Sequence, residues 1–201
     1  MARNIGMFPS LKMEGEIWYQ STLERDYIYL LEFDKDVISY VEQPGTIYAT
    51  IAGKARRYQP DFKVYKTDEV SLVEVKPSRR LAAERTRIQL AIGTEYCKEH
   101  CLNFQVITEE IREGCFLDNV KMLFRYSHEK LSLYDMDKIF NSLMVTGLIS
   151  IGQLCKELDG VIAKNRCLNL IYHMAWKHLL EVDLTIPVTK ETIIIGGEYI
   201  D

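Results

Sequence analysis

The chain lacks paired cysteines. Its five (Cys97, Cys101, Cys115, Cys155 and Cys167) form no Cys-x-x-Cys pair, and the odd number leaves one over. That argues against a disulfide framework and for reduced, mostly core-filling thiols. Cys97 and Cys101 can share a helical face beside His100, but a zinc site needs a second ligand pair that the sequence does not offer. No signal peptide, membrane-spanning apolar run, low-complexity tract or internal repeat is visible, so a cytoplasmic protein without a membrane partner is expected. A basic surplus is missing too. The formal charge is −4, and division near Glu110 leaves both halves mildly acidic. A protein that grips DNA unaided usually carries excess Lys and Arg, because phosphate neutralisation dominates affinity. Any DNA chemistry here calls for a partner that delivers the protein.

What is present is an ordinary globular composition, 47% hydrophobic and 27% charged over 201 residues. That length suits one large domain or two small ones. The most informative stretch runs from Tyr58 to Lys76. Tyr-Gln-Pro-Asp-Phe-Lys-Val-Tyr and Val-Ser-Leu-Val-Glu-Val-Lys read as strands joined by Lys66-Thr67-Asp68-Glu69. Antiparallel pairing about that turn sets Tyr65 opposite Val70 and Asp61 opposite Glu74, on one face. Strand period adds Lys76 to the same face and turns Val73 and Val75 to a core. Carboxylates held that close repel unless a cation intervenes or one is protonated. Hard oxygen ligands of this kind suit magnesium, and a nearby lysine can act on an attacking water or on phosphate charge.

The spacing is Pro60-Asp61, twelve residues, then Glu74-Val75-Lys76. It resembles the signature of the PD-(D/E)xK nuclease superfamily. Taken alone, a plain charged hairpin explains the same residues.

In chain order, residues 1–19 (Arg3, Phe8, Lys12, Met13, Trp18, Tyr19) read as a docking arm or a loosely packed terminus. A helix follows over Ser21–Phe33. Ser21-Thr22-Leu23-Glu24 is a capping box, and the rival reading makes Glu24 a third acidic group facing the hairpin. Val37–Glu42 and Thr46–Ile51 read as strands of a three-strand meander, and Lys54, Arg56 and Arg57 as a solvated turn or a phosphate contact beside Asp61. Ser78 is the expected cap of a long helix to Cys101, buried through Leu81, Ile88, Ala91 and Ile92. Arg79, Arg80, Arg85 and Arg87 crowd its first half, as a solvated face or a DNA-backbone grip. Phe104–Thr108 is the closing strand. The fold class is thus α/β with a mixed sheet, a restriction-endonuclease-like core over residues 1–110. Residues 111–201 read as helices at Asn119–Tyr126, Tyr134–Val145, Ser150–Leu158 and Lys164–Leu180. Short strands at Glu181–Leu184 and Glu191–Ile195 complete a winged-helix-like domain. The Lys164–Leu180 helix is apolar in its middle, which suits packing or protein binding better than base reading. His173 and His178, five apart, read as packing residues.

Ser21-Thr22-Leu23-Glu24-Arg25-Asp26, Phe33-Asp34-Lys35-Asp36-Val37 to Glu42-Gln43-Pro44, Tyr58-Gln59-Pro60-Asp61-Phe62 and Val73-Glu74-Val75-Lys76-Pro77 together resemble the TnsA endonuclease of heteromeric TnsAB transposases. The resemblance spans about residues 15–110. It implies that Glu24, Asp61, Glu74 and Lys76 are catalytic. Asp61, Glu74, Glu24 and the Val75 backbone carbonyl would hold magnesium, with manganese as a substitute, and Lys76 would act at the water. It implies cleavage of the 5′ strands at transposon ends beside a TnsB-type transposase and a TnsC-type AAA+ ATPase, on the bacterial nucleoid. A freestanding restriction or repair nuclease and a catalytically silent adaptor are the alternatives.

Overall fold

The computed structural model describes residues 4–51 and 53–197, so Arg3 lies outside the described residues. The chain divides into two compact units, Met1–Ile111 and Arg112–Asp201. The first runs β1 (Gly6–Ser10), β2 (Gly15–Tyr19), α1 (Thr22–Phe33), β3 (Val37–Glu42), β4 (Ile47–Ile51), β5 (Lys54–Tyr58), β6 (Phe62–Lys66), β7 (Val70–Val75), α2 (Glu84–Glu99) and β8 (Asn103–Ile107). Its main sheet has the order β3-β6-β7-β8, antiparallel up to β7 and parallel between β7 and β8. This is the mixed α/β architecture expected.

β7 lies inside the sheet because Leu72, Val73 and Val75 give it apolar side chains for both faces, and all three are buried. On one face Tyr27 of α1 meets Phe62 edge-on at 5.7 Å, and Phe62 pairs with Val73. Leu72 and its partner Phe104 take the opposite face, under α2. There Gly93 permits the close approach: a Cβ at that position would stand 2.4 Å from the Phe104 ring and 2.9 Å from that of Tyr58.

Three expectations need correction. Over its described part, from residue 4 on, the stretch to Tyr19 is not a loose terminus. β1 and β2 form an antiparallel hairpin with Phe8 and Ile17 buried. Buried Glu32 of α1 fastens it, accepting from Ser10 Oγ (2.5 Å), Tyr40 Oη (2.6 Å) and Leu11 N–H (3.0 Å). Lys12 Nζ adds bonds to the carbonyls of Asp34 and Val37. Second, the Thr46–Ile51 strand does not belong to the main sheet. As β4 it pairs with β5 in a separate two-stranded ribbon, and β3 pairs directly with β6. Period-2 alternation identifies a strand but not its neighbour. Third, Ser78 does not cap α2. It opens a 3-10 turn over Ser78–Arg80, and its N–H and Oγ donate to Glu109 at 2.7 and 2.6 Å. α2 starts after Ala83 and buries Thr86, Ile92, Gly93 and Cys97, while Leu81 and Ile88 are half-buried and Ala91 is exposed.

The second unit runs α3 (Phe116–Phe124), α4 (Leu133–Thr146), β9 (Ile149–Ser150), α5 (Ile151–Glu157), α6 (Lys164–Trp176), β10 (Leu180–Val182) and β11 (Ile193–Gly197), with sheet order β10-β11-β9. α4 stops at Gly147, whose φ of 68° only glycine adopts without strain. Ser150 and Gln153 form a complete capping box on α5. α6 is buried continuously from Leu170 to Trp176, which accounts for its apolar middle, and only its first turn, Lys164–Arg166, is fully outside. His173 sits in that core with Nδ1 2.8 Å from the Tyr126 carbonyl, and burial lowers its pKa. Among the described residues no helix is long and apolar enough to cross a membrane.

Glu32→Ala takes the acceptor from the buried hydroxyls of Ser10 and Tyr40 and from the part-buried Leu11 and Lys12 N–H groups, and a buried donor left unpaired costs about 1–3 kcal/mol. The expected outcome is a loss of roughly 2–4 kcal/mol in denaturant melts, with amide exchange of Gly6–Tyr19 rising most. Unchanged exchange there would remove Glu32 as the fastener.

Candidate functional site

The register is the one the turn implies. Tyr65 pairs with Val70 and Phe62 with Val73, so one further step sets Asp61 beside Glu74. At that step the chain leaves the ladder. The Asp61 N–H donates to the Val73 carbonyl (3.0 Å), and its Oδ2 accepts the Val75 N–H at 2.7 Å. In a strand, the N–H and C=O of one residue point to the same edge, so the Val75 carbonyl faces the Asp61 side. Continued register puts Pro60 where the ladder donor for that carbonyl would stand, and proline has no N–H to give.

Glu74 is 1% exposed, on the face covered by α2. A carboxylate so deep needs compensation. Lys76 Nζ lies 2.5 Å from Glu74 Oε1 and 4.0 Å from Asp61 Oδ2, joining the three side chains in one cluster. The Tyr58 hydroxyl, at the end of β5, donates to Glu74 Oε2 at 2.8 Å. Tyr58 is itself 1% exposed and packs edge-on against Phe104. Burial, then the Glu74 charge, hold its phenol far above the usual range. Sequence reasoning gave Tyr58 no role. The available signal was an aromatic with a polar tip ending an otherwise exposed strand, three residues before Asp61.

Charge in the cluster is unbalanced. The Asp61 carboxyl is pushed up to about 7 by burial and by Glu74, against the pull of Lys76 and the Val75 N–H. Burial works to lower the Lys76 ammonium, but Asp61 and Glu74, with a contribution from Glu24, outweigh it, and its pKa is raised. Two carboxylates thus share one lysine.

Glu24 stands apart from this trio. Its backbone N–H bonds the Ser21 side chain at 3.1 Å, and its carboxylate accepts from Gln20 N–H (2.7 Å) and Ser21 Oγ (2.9 Å). The cap engages it, and its charge alone reaches Asp61 and Lys76. Among the described residues no group of three or more His, Cys, Asp or Glu side chains is arranged to hold a metal. In this conformation Glu24 therefore does not complete the three-carboxylate set expected of it. The donors that fit a divalent cation are Asp61, Glu74 and the Val75 carbonyl. Magnesium is commonly held by one or two carboxylates and water, and the raised Asp61 pKa marks a place where added positive charge is favourable.

The six basic candidates are all exposed. Lys54, Arg56 and Arg57 lie on β5, Arg79 and Arg80 in the turn that follows Lys76-Pro77, and Arg85 in the first turn of α2. Gln89, also on α2, is half-buried.

Residues 34–109 match the family model described as TnsA-like endonuclease N terminal, and over this stretch the chain is similar to that nuclease family. The match contains Asp61, Glu74 and Lys76 and begins after Glu24. No curated protein matches the chain.

A carboxyl whose pKa rises from 3.8 to about 7 on folding costs stability as pH climbs through that window, and the cost is complete above it. Asp61→Asn removes the cost. Without metal at pH 8 its melting midpoint should exceed wild type by a few degrees, since ~1 kcal/mol moves a chain of this size by about 2–4 °C. At pH 4 the two midpoints should converge. A gap that does not shrink with pH would contradict the charge imbalance. Tyr58→Phe, by contrast, takes a donor from a buried carboxylate and should cost about 1.5–3 kcal/mol at pH 8, read by chemical denaturation. Wild-type stability would show that Glu74 finds its compensation elsewhere.

Proposed function

We propose that this chain is a divalent-metal-dependent DNA endonuclease that cuts the 5′ strands at transposon ends, while a TnsB-type transposase cuts the 3′ strands and joins them to target DNA. The observation that carries the reading is the Asp61–Glu74–Lys76 cluster, inside the stretch that matches the TnsA-like endonuclease family.

In this reading Asp61, Glu74 and the Val75 carbonyl hold magnesium, or manganese in its place. The ion, when bound, supplies Lewis-acid polarisation of the phosphate and a more acidic water. Lys76 keeps its proton through its carboxylate neighbours, and so holds an ammonium where charge grows on the phosphate. Tyr58 and the packing around it fix the Glu74 carboxylate, so the cluster keeps its geometry as charges change. Glu24 adds negative charge from the first turn of α1 and serves as a further acidic group if the cap opens. Lys54, Arg56, Arg57, Arg79, Arg80 and Arg85 bind backbone phosphate on either side of the cut.

The second unit, residues 111–201 in the division read from sequence, is a winged-helix-like domain in this reading. α4, α5 and α6 form the helical part and β10–β11 the wing. Its apolar build suits contact with a TnsC-type ATPase. The mild acidity of the chain agrees with a cytoplasmic enzyme brought to DNA by its transposase.

The test is strand-resolved cleavage of transposon-end DNA, with magnesium, with and without the transposase. Wild type should cut the 5′ strand only when the transposase is present. Asp61→Ala and Lys76→Ala should each lose about 10²–10³-fold or more, with transposase binding kept. Cleavage at wild-type rate by either variant would dismiss the assignment. Equal cleavage without the transposase would make the protein a freestanding nuclease.

A further inference from the structure

The second unit buries two thiols against each other, and the nuclease reading uses neither. Of the buried cysteines, Cys97 belongs to the first unit, while Cys155 of α5 and Cys167 of α6 lie together in the second. α5 packs on α6, and the Cys167 thiol donates a hydrogen bond to the Cys155 sulfur. Cysteines that only fill a core have no need to meet sulfur to sulfur. Both thiols are free, and a disulfide would require the two sulfurs to close to about 2 Å.

The pair is asymmetric in access. Cys155 lines a cavity of about 330 Å³ bounded by the start of α5, the first turn of α6 and the connection that leads into β11. Cys167 is 0% exposed and does not share that lining, so a small molecule in the cavity meets Cys155 first. The pair is asymmetric in charge as well. The bond from Cys167, with the ammonium groups of Lys190 and Lys164, lowers the Cys155 pKa against the effect of burial. Cys167 is held far above the usual thiol range by the bond it gives and by burial. The thiolate is the nucleophile, so Cys155 is the attacking sulfur and Cys167 the one that follows. The Gly152 N–H donates to the Lys190 carbonyl at 2.7 Å, which fixes the backbone of that lysine against α5. Cys97 supplies the contrast: it is as deeply buried, and burial raises its pKa. Two sulfurs fall short of a closed metal site, and among the described residues no group of three or more His, Cys, Asp or Glu is arranged to hold an ion.

We propose that Cys155 and Cys167 form a redox modification site whose oxidant is hydrogen peroxide admitted to the cavity. The Cys155 thiolate attacks one peroxide oxygen. An S–O bond forms, the O–O bond breaks, and the departing hydroxide takes a proton to become water. Cys155 is then a sulfenic acid, oxidised by two electrons. Cys167 gives up its proton and attacks the Cys155 sulfur; the S–S bond forms, the S–O bond breaks, and a second water leaves. Two thiols and one peroxide thus yield a disulfide and two waters. The new bond ties α5 to α6, and a dithiol reductant reverses it. The inference does not depend on the Asp61–Glu74–Lys76 cluster being catalytic.

The experiment treats the full-length chain with hydrogen peroxide at neutral pH. Samples are quenched, denatured and alkylated at intervals, and each cysteine is followed by mass spectrometry. A peptide pair cross-linked through Cys155 and Cys167 should form at least about 10-fold faster than Cys97 is consumed, and dithiothreitol should reverse it. Cys167→Ser should halt the reaction at the Cys155 sulfenic acid, captured by dimedone, whereas Cys155→Ser should leave Cys167 unoxidised. Lys164→Gln/Lys190→Gln should slow cross-linking by about 2–5-fold. If a serine variant fails to fold, the wild-type mapping and the lysine variant decide. Consumption of Cys155 no faster than Cys97 would overturn the proposal, as would oxidation confined to the exposed Cys101. So would a wild-type Cys155 sulfenic acid that never passes to Cys167.

Discussion

Glu74 is a carboxylate on an interior strand with 1% of its surface exposed, and the first unit is arranged around keeping it there. A buried charge is tolerated only when paired and hydrogen-bonded. One partner, Lys76, comes from the same strand at 2.5 Å; the other, Tyr58, arrives from the end of the β4–β5 ribbon at 2.8 Å. Tyr58 in turn holds its place because Phe104 and the bare Gly93 backbone close over it. Parallel pairing with β8 is as necessary, since it covers the second edge of β7 and gives the Lys76 N–H its acceptor in Ile107 at 2.9 Å. Asp61 then brings a second carboxylate against the first, and one ammonium is not enough for both.

Much of this was legible because local chemistry carries it. The turn at Lys66–Glu69 sets the register of the hairpin, and register in turn places Asp61, Glu74 and Lys76 together. Strand and helix positions followed hydrophobic period, and the Ser21 cap and the Ser150 capping box follow from side-chain reach within one turn. What the sequence concealed depends on distant partners. Ser78 has every property of an N-cap, and Glu109, thirty-one residues on, takes it instead. The pairing of β3 with β6 across an inserted ribbon, and the Tyr58–Glu74 bond, are likewise decided by tertiary contact. Sequence offers Glu24 two roles, and the cap holds it in this conformation.

Charge is distributed unevenly over a chain that is acidic in sum. The first unit concentrates negative charge in a desolvated cluster and carries Lys54, Arg56, Arg57, Arg79, Arg80 and Arg85 at exposed positions of β5, of the turn after Lys76-Pro77 and of α2. The second unit gathers lysines at the mouths of α5 and α6 and keeps the body of α6 apolar. Net charge alone is a poor guide to contact with a polyanion, since what bears on it is where the individual charges stand.

The parallel pairing of β7 with β8 has a consequence for biosynthesis. Val75 meets Ile107 only after α2 has been made and folded back across the sheet, a non-local closure of the kind that slows folding. A ribosome-bound chain ending before Asn103 has β7 as a bare edge, with Phe104 absent from the packing around Tyr58. Such a chain holds the hairpin that brings the acidic trio together but lacks the strand that covers the second edge of β7 and accepts the Lys76 N–H.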